Sequence, residues 1–274
     1  EPTPQDGTGS LGGGYRTRKY GVYNFGDFFT CRQKLALLAL MHKQKPGLLV
    51  NELLALSISK QAERLSSLVS WIASTEAPRG TFARQALPIE WDFLELVPVV
   101  EDEEYPELLH AIAAVVGWWS RAHPSPGQVQ LADATNLPLP DHAANIFFTD
   151  PPYYDAVPYA DLSDFFFVWL KRALPKHPLM RDPFDASNQL TPKSRKAVRD
   201  EQEHLDNRAK KPVEWYEHAM HKAYVEGHRI LREDGIGSVV FAHKTTEGWE
   251  ALLSGMIKGG WTITGSWPIA TERP

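Results

Sequence analysis

A chain of 274 residues, 43% hydrophobic and 23% charged, has the composition of an ordinary folded protein and room for one large domain or two smaller ones. Its single cysteine, Cys31, excludes an internal disulfide framework and a multi-cysteine zinc site, and no metal ligands are expected. No apolar run reaches the roughly 20 residues of a membrane span and no secretory signal pattern opens the chain, so a cytoplasmic setting without membrane contact is expected; the net charge of -5 gives no global footprint for a polyanion, so a nucleic-acid partner would need a local basic patch.

In chain order, residues 1–14 are mostly Gly, Pro, Thr and Ser with almost nothing to bury, and a flexible linker over residues 1–19 is the expectation. The chain opens Glu1-Pro2 rather than on methionine, so it is expected to be a piece of something longer. A mainly helical region follows over residues 20–126. Leu35, Leu37, Leu38 and Met41 recur at helical spacing and predict a helix over 33–43. Leu53, Leu56, Ala62, Leu65 and Leu68 predict a second over 49–71. Pro106 suits the first turn of a third, over 106–120, because its missing N–H is not needed there.

The pattern changes after Pro126-Gly127. A short strand is predicted over 128–132 and a second over 144–149 (Ala-Asn-Ile-Phe-Phe-Thr), followed by a helix over 159–172. Residues 174–211 are interrupted by prolines and rich in charge, and read as an insertion too polar for a buried element. A helix over 213–232, a strand over 237–241, a helix over 249–257 and a strand over 261–267 close the chain. Strands alternating with helices of this length imply an α/β region over 127–274 with a mainly parallel sheet.

The chemistry is concentrated in Asp150-Pro151-Pro152-Tyr153, just past the strand at 144–149. In an open α/β sheet, ligands bind outside the carboxyl ends of the strands. Consecutive prolines lack N–H donors and hold the preceding residues extended, so backbone carbonyls there are presented rather than consumed by secondary structure. The Asp150 carboxylate and the Pro151 carbonyl can each accept one hydrogen of an exocyclic amino group, and Tyr153 offers a ring on which a base can stack.

Asp-Pro-Pro-Tyr after a strand resembles the catalytic motif of amino-directed DNA methyltransferases, which act on adenine N6 or cytosine N4. The longer run Thr149-Asp-Pro-Pro-Tyr-Tyr-Asp-Ala-Val-Pro-Tyr-Ala-Asp-Leu-Ser-Asp-Phe-Phe-Phe-Val-Trp-Leu170 resembles the long adenine-specific DNA methylase family whose members also carry a zinc ribbon and a domain of unknown function. Phe25-Gly-Asp-Phe-Phe-Thr-Cys-Arg-Gln33, Thr81-Phe-Ala-Arg-Gln-Ala-Leu-Pro88 and Trp267-Pro-Ile-Ala-Thr-Glu272 extend that resemblance along the chain. It implies a Rossmann-like class I methyltransferase sheet, whole or in part, behind an N-terminal helical region. It implies methylation of a flipped DNA base by direct transfer from S-adenosylmethionine, with Asp150, Pro151, Pro152 and Tyr153 as catalytic residues. Asp133 and Ala134, in Ala132-Asp-Ala-Thr-Asn-Leu-Pro-Leu-Pro140, match the loop that contacts the cofactor, and Thr30 falls in a stretch similar to one near the cofactor's methionine end. A cytosine-C5 enzyme would need a cysteine beside proline, whereas Cys31 stands between Thr30 and Arg32.

One departure from the family pattern stands out. The usual glycine-rich cofactor loop after the first strand is absent, since Gly12-Gly13-Gly14 follows no strand and precedes no helix. The resemblance therefore implies that this is the C-terminal part of a longer enzyme, or that a partner chain supplies the loop. Two other readings stay open: an inactive nucleic-acid-binding or assembly module, and a methyltransferase acting on RNA or protein amino groups. Residues 171–211 hold eleven Lys and Arg against six Asp and Glu, which suits either a phosphate-contacting loop or a solvated insertion. Asp161 and Asp164 share a helix face and are expected to be solvent-facing rather than catalytic. Tyr154, Asp155 and Tyr159 are candidates for a base pocket or for covering a sheet edge, and His243-Lys244 for facing the cleft or the solvent.

Overall fold

The structure, a computed structural model, describes residues 1–3, 17–43, 50–83, 86–98, 104–122, 125, 127–154, 157–199 and 210–269. Among them are six α-helices and two small sheets, one antiparallel and one parallel, so the class is α/β. They fall into two compact units. The first takes the described residues up to Gly127 together with Val157–Lys196, and the second takes the rest.

The first unit is helical, with one small hairpin. Helix α1 (Cys31–His42) starts on a reciprocal cap: the Thr30 hydroxyl accepts from the Gln33 N–H at 3.3 Å and the Gln33 side chain accepts from the Thr30 N–H at 2.8 Å. Helix α2 (Val50–Leu65) packs against α3 (Glu104–Ala122) and α4 (Tyr159–Ala173). Phe28 and Phe29 meet Phe165 of α4, with Phe25 against Phe28 and the Phe29 and Trp169 rings 4.9 Å apart in a T-shaped pair. The aromatic run of α4 is thus core material for this unit. A single helix expected over 49–71 stops at Leu65, because Ser66 and Ser67 spend their polar groups elsewhere. The Ser66 and Thr81 hydroxyls bond at 2.6 Å, and the Ser67 N–H donates to the Phe28 carbonyl at 2.7 Å. The chain then turns into β1 (Ser70–Ile72), paired antiparallel with β2 (Ala77–Arg79).

Two expectations for this unit are corrected. Residues 1–3 and 17–19, assigned to a linker, make specific contacts: Thr3 donates its N–H to the Tyr23 carbonyl at 2.9 Å, and the Glu1 carboxylate pairs with Lys171 at 2.7 Å and Arg172 at 2.8 Å. Thr17 is buried at the start of a 3-10 turn over Thr17–Tyr20; the rest of the expected linker, 4–16, lies outside the described residues. Asp161 and Asp164 are buried, not solvent-facing. Asp164 accepts from the Thr191 N–H at 2.9 Å and hydroxyl at 2.6 Å and pairs with Lys193 at 2.7 Å, pinning the segment after α4 back onto the helix.

The second unit is built on β3 (Ala144–Thr149) and β4 (Leu231–Val239), which run parallel. Helix α5 (Val213–Ile230) leads directly into β4, and α6 (Thr246–Lys258) packs on α5. Gly227 is required where α5 crosses the strand: a Cβ there would stand 2.7 Å from the ring of Phe147. The register runs from Ala144 opposite Leu231 to Ile146 opposite Ile236 and Thr149 opposite Val239, so Arg232–Gly235 stand against the single Asn145 and the excess is accommodated as a bulge.

Three strand expectations change here. Residues 128–132 form no strand, and Val129 is 101% exposed, with no neighbour to pair with. The strand expected over 237–241 begins instead at Leu231 and ends at Val239, because pairing with Ala144 starts before the bulge. Residues 261–267 are not in a ladder. Trp261 lies against Phe147 at 5.5 Å between centroids, and its indole N–H donates to the Tyr224 carbonyl at 2.8 Å, so the residue covers the pair rather than extending it. No helix among the described residues is long and apolar enough to cross a membrane.

Candidate functional site

At their carboxyl ends β3 and β4 open into two loops, Asp150–Tyr154 and the stretch from Val240 to Thr245. The Val240 N–H still donates to the Thr149 carbonyl at 2.9 Å, which ties the loops at their base. Asp150 is exposed, Pro151 buried, and Pro152 and Tyr153 half-buried. The Pro152 carbonyl is committed: it accepts from the Tyr154 N–H at 3.0 Å and from the Tyr216 hydroxyl at 3.1 Å. No donor among the described residues reaches the Asp150 carboxylate or the Pro151 carbonyl. Each of these two residues precedes a proline, which holds it extended and away from helical self-bonding. Two acceptors of different kinds, one charged and one neutral, are therefore left unspent side by side where the strand ends.

Tyr154 anchors the loop. It is fully buried at 1% exposure and takes a left-handed backbone with φ 40°, a conformation that costs a side-chain-bearing residue about 1–2 kcal/mol. It is held at both ends. Its carbonyl accepts from the Arg199 N–H at 2.9 Å, while its hydroxyl donates to the Glu247 carboxylate at 2.7 Å and accepts from the Arg199 guanidinium at 3.2 Å. Arg199 and Glu247 pair at 3.6 Å. Burial and then the hydrogen bond to Glu247 push the Tyr154 phenol up to about 12. The Tyr216 ring crosses that of Tyr154 at 5.1 Å.

The surroundings are aromatic. Tyr153 packs T-shaped on Phe241 at 5.3 Å, Phe241 stacks on His243 at 6.2 Å, and His243 crosses Tyr154 at 5.5 Å. His243 is half-buried, and its Nδ1 accepts from the Thr245 N–H at 3.2 Å in the turn that caps α6. The ring is thus packed among Phe241 and Tyr154. Phe241, Arg199, Tyr216 and Glu247 carried no signal of their own in the sequence.

The other candidate residues are placed elsewhere. Asp133 folds its carboxylate into its own turn, accepting from the Thr135 N–H at 2.9 Å and hydroxyl at 2.7 Å, and Ala134 is exposed beside it. The loop beyond is fastened by Glu226 and Arg229 near the end of α5: Glu226 accepts the Leu137 N–H at 2.9 Å, and Arg229 donates to the Leu139 carbonyl at 2.8 Å and the Asp141 carboxylate at 2.6 Å. Those anchors lie where β4 begins, the opposite strand ends from Asp150. Thr30 belongs to the first unit, where its hydroxyl caps α1 and donates to Glu95 at 3.1 Å. Tyr159 is an exposed first-turn residue of α4 in the first unit, and Asp155 lies outside the described residues.

The basic stretch is less available than its count suggests. Lys171 and Arg172 pair with Glu1, Lys193 with Asp164, and Arg199 with Glu247, while the Arg195 guanidinium lies 4.2 Å over the Phe184 ring. Arg208 falls outside the described residues.

No protein-family model, curated protein or solved structure matches this chain.

Proposed function

We propose that the chain methylates an exocyclic amino group of a DNA base, adenine N6 before cytosine N4, using S-adenosylmethionine as methyl donor on a Rossmann-like methyltransferase sheet. The observation that carries the reading is the unspent pair of acceptors, the Asp150 carboxylate and the Pro151 carbonyl, at the carboxyl end of a parallel strand with Tyr153 beside them. An amino group has two hydrogens. Holding both directs the nitrogen lone pair away from the ring and toward an electrophile. A hydrogen bond to a charged acceptor contributes about 1.5–3 kcal/mol and one to a neutral acceptor about 0.5–1.5 kcal/mol. Stacking on Tyr153 adds about 1–3 kcal/mol. Together these offset the few kcal/mol needed to take a base out of its stack. Tyr153 acts through its ring; Pro152 acts by keeping the backbone extended, since its carbonyl is already bonded.

Of the residues expected to hold the methyl donor, Asp133 spends one carboxylate oxygen on Thr135, and the Thr30 hydroxyl serves the cap of α1. The same observation favours a second reading, a nucleic-acid-binding or assembly module that holds an amino base without transfer. Two measurements separate them. Incubation with unmethylated DNA and methyl-tritiated S-adenosylmethionine, followed by nucleoside digestion, should place label in N6-methyladenine, and an unlabelled digest rejects the enzyme. Calorimetric titration of the chain with S-adenosylmethionine should give heat; none at millimolar donor rejects catalysis by this chain alone.

A further inference from the structure

The Pro152 carbonyl is the point at which the acceptor pair is fixed from behind. In an extended backbone, successive carbonyls point to different sides. That of Pro152 is turned in to the Tyr216 hydroxyl at 3.1 Å, which fixes the peptide plane next to the one that carries the Pro151 carbonyl. The left-handed turn at Tyr154 makes the second contact, bringing its own N–H back onto the Pro152 carbonyl at 3.0 Å. Such a conformation persists in a bulky residue only where the surroundings over-determine it. Here they do so through Arg199 on the Tyr154 carbonyl and through Glu247 and Arg199 on the Tyr154 hydroxyl. None of these residues belongs to the motif, and Glu247 lies on α6, 93 positions from Tyr154 in the chain.

We propose that Tyr216 and Glu247 are positioning residues for amino-group recognition: Tyr216 by holding the Pro152 carbonyl, Glu247 by holding the Tyr154 turn, so that the Pro151 carbonyl and the Asp150 carboxylate stay aimed at one nitrogen. The inference rests on the reading of Asp150–Tyr153 as an amino-group acceptor. It separates two contributions to substrate binding. Stacking depends on the ring of Tyr153, whereas recognition of the amino hydrogens depends on the backbone that Tyr216 and Glu247 hold. Loss of either hold should remove the second and spare the first.

The test compares adenosine with purine riboside, which has the same ring system without the amino group, as ligands of the whole chain by NMR titration. The wild-type chain should prefer adenosine by about tenfold, the equivalent of a hydrogen-bonding difference of one to two bonds. Tyr216→Phe and Glu247→Gln should each reduce that preference to below about threefold while leaving the affinity for purine riboside unchanged. Tyr224→Phe is the control, because the buried Tyr224 hydroxyl has no hydrogen-bond partner among the described residues; it should keep the full preference. Retention of the wild-type preference in Tyr216→Phe overturns the inference. Should that variant melt below the assay temperature, Glu247→Gln decides in its place, since Glu247 is exposed and its loss leaves the packing intact. Absence of any preference for adenosine in the wild-type chain is a different failure: it rejects the amino-acceptor reading itself, and the positioning roles with it.

Discussion

Four consecutive residues at the end of β3 divide their work. Asp150 and Pro151 offer acceptors, Pro152 gives its carbonyl to Tyr216, and Tyr153 joins the aromatic group of Phe241 and His243. The residue after them, Tyr154, stores the strain. Because its phenol is raised from 10.0 to about 12 in the folded chain, the folded state holds that proton more tightly than the unfolded state does. The associated stability is complete below the unfolded value of about 10 and is lost as pH rises through the folded value. Alkaline unfolding followed by circular dichroism should thus show a decline between about pH 10 and 12 that Tyr154→Phe makes shallower; an identical decline in the variant would contradict the assigned environment. Burial also raises the Tyr224 phenol, so it is the difference between the two curves that reports Tyr154. At this scale the motif was legible because Asp, Pro and Tyr carry distinctive chemistry in adjacent positions. Its supports were not, because Arg199 and Glu247 are ordinary surface residue types brought to Tyr154 only by the tertiary fold.

Helices announced themselves better than strands. The periodic apolar faces of α1, α3, α4, α5 and α6 were readable to within a few residues, since each is long enough for a period of 3.6 to repeat. The strand β3 was readable exactly as an apolar run, but its partner β4 begins inside what looked like a helix end, and the bulge over Arg232–Gly235 hid its register. Residues 128–132 and 261–267 have strand-like sequences without a ladder, which shows that alternation alone does not supply a neighbour. Gly227 tests the packing of α5 on β3. Gly227→Ala raises helix propensity by about 1 kcal/mol but drives a methyl into the Phe147 ring, and overpacking of this kind costs about 1–3 kcal/mol. Urea unfolding should show a net loss, and a gain in stability would mean that the crossing is looser than described. Asp164→Ala probes α4 in the same way. It leaves Lys193 without its buried carboxylate, and breaking such a pair costs about 3 kcal/mol, so a variant with an unchanged urea midpoint would contradict the pinning role of Asp164.

At the scale of the whole molecule, the described residues cover the parallel pair on one face only. Phe147 lies under Gly227 and Trp261, whereas Ile146, Phe148 and Ile236 are 67%, 68% and 69% exposed. Ile146 stands opposite Ile236 in the register, so the three form one apolar strip. Parallel sheets are ordinarily covered on both faces. The strip should bind the dye ANS, with fluorescence that falls when Phe148 and Ile236 are changed together to serine; equal fluorescence in wild type and variant would place the dye elsewhere. The division into two units also bears on how the sequence was read. Residues 159–173 follow the motif directly and look like its continuation, yet their aromatic face is buried among Phe28, Phe29 and Phe82 of the helical unit. Chain order could not show that. What the fold leaves at the end of β3 is a pair of unspent acceptors, and methyl transfer to DNA by wild type and Asp150→Ala, assayed side by side with tritiated S-adenosylmethionine, tests most directly the proposal that they hold an amino group. The account predicts N6-methyladenine from wild type and about ten- to a hundredfold less from a variant that melts at the same temperature, since a charged hydrogen bond of about 1.5–3 kcal/mol is lost. Equal incorporation by the two proteins would contradict it.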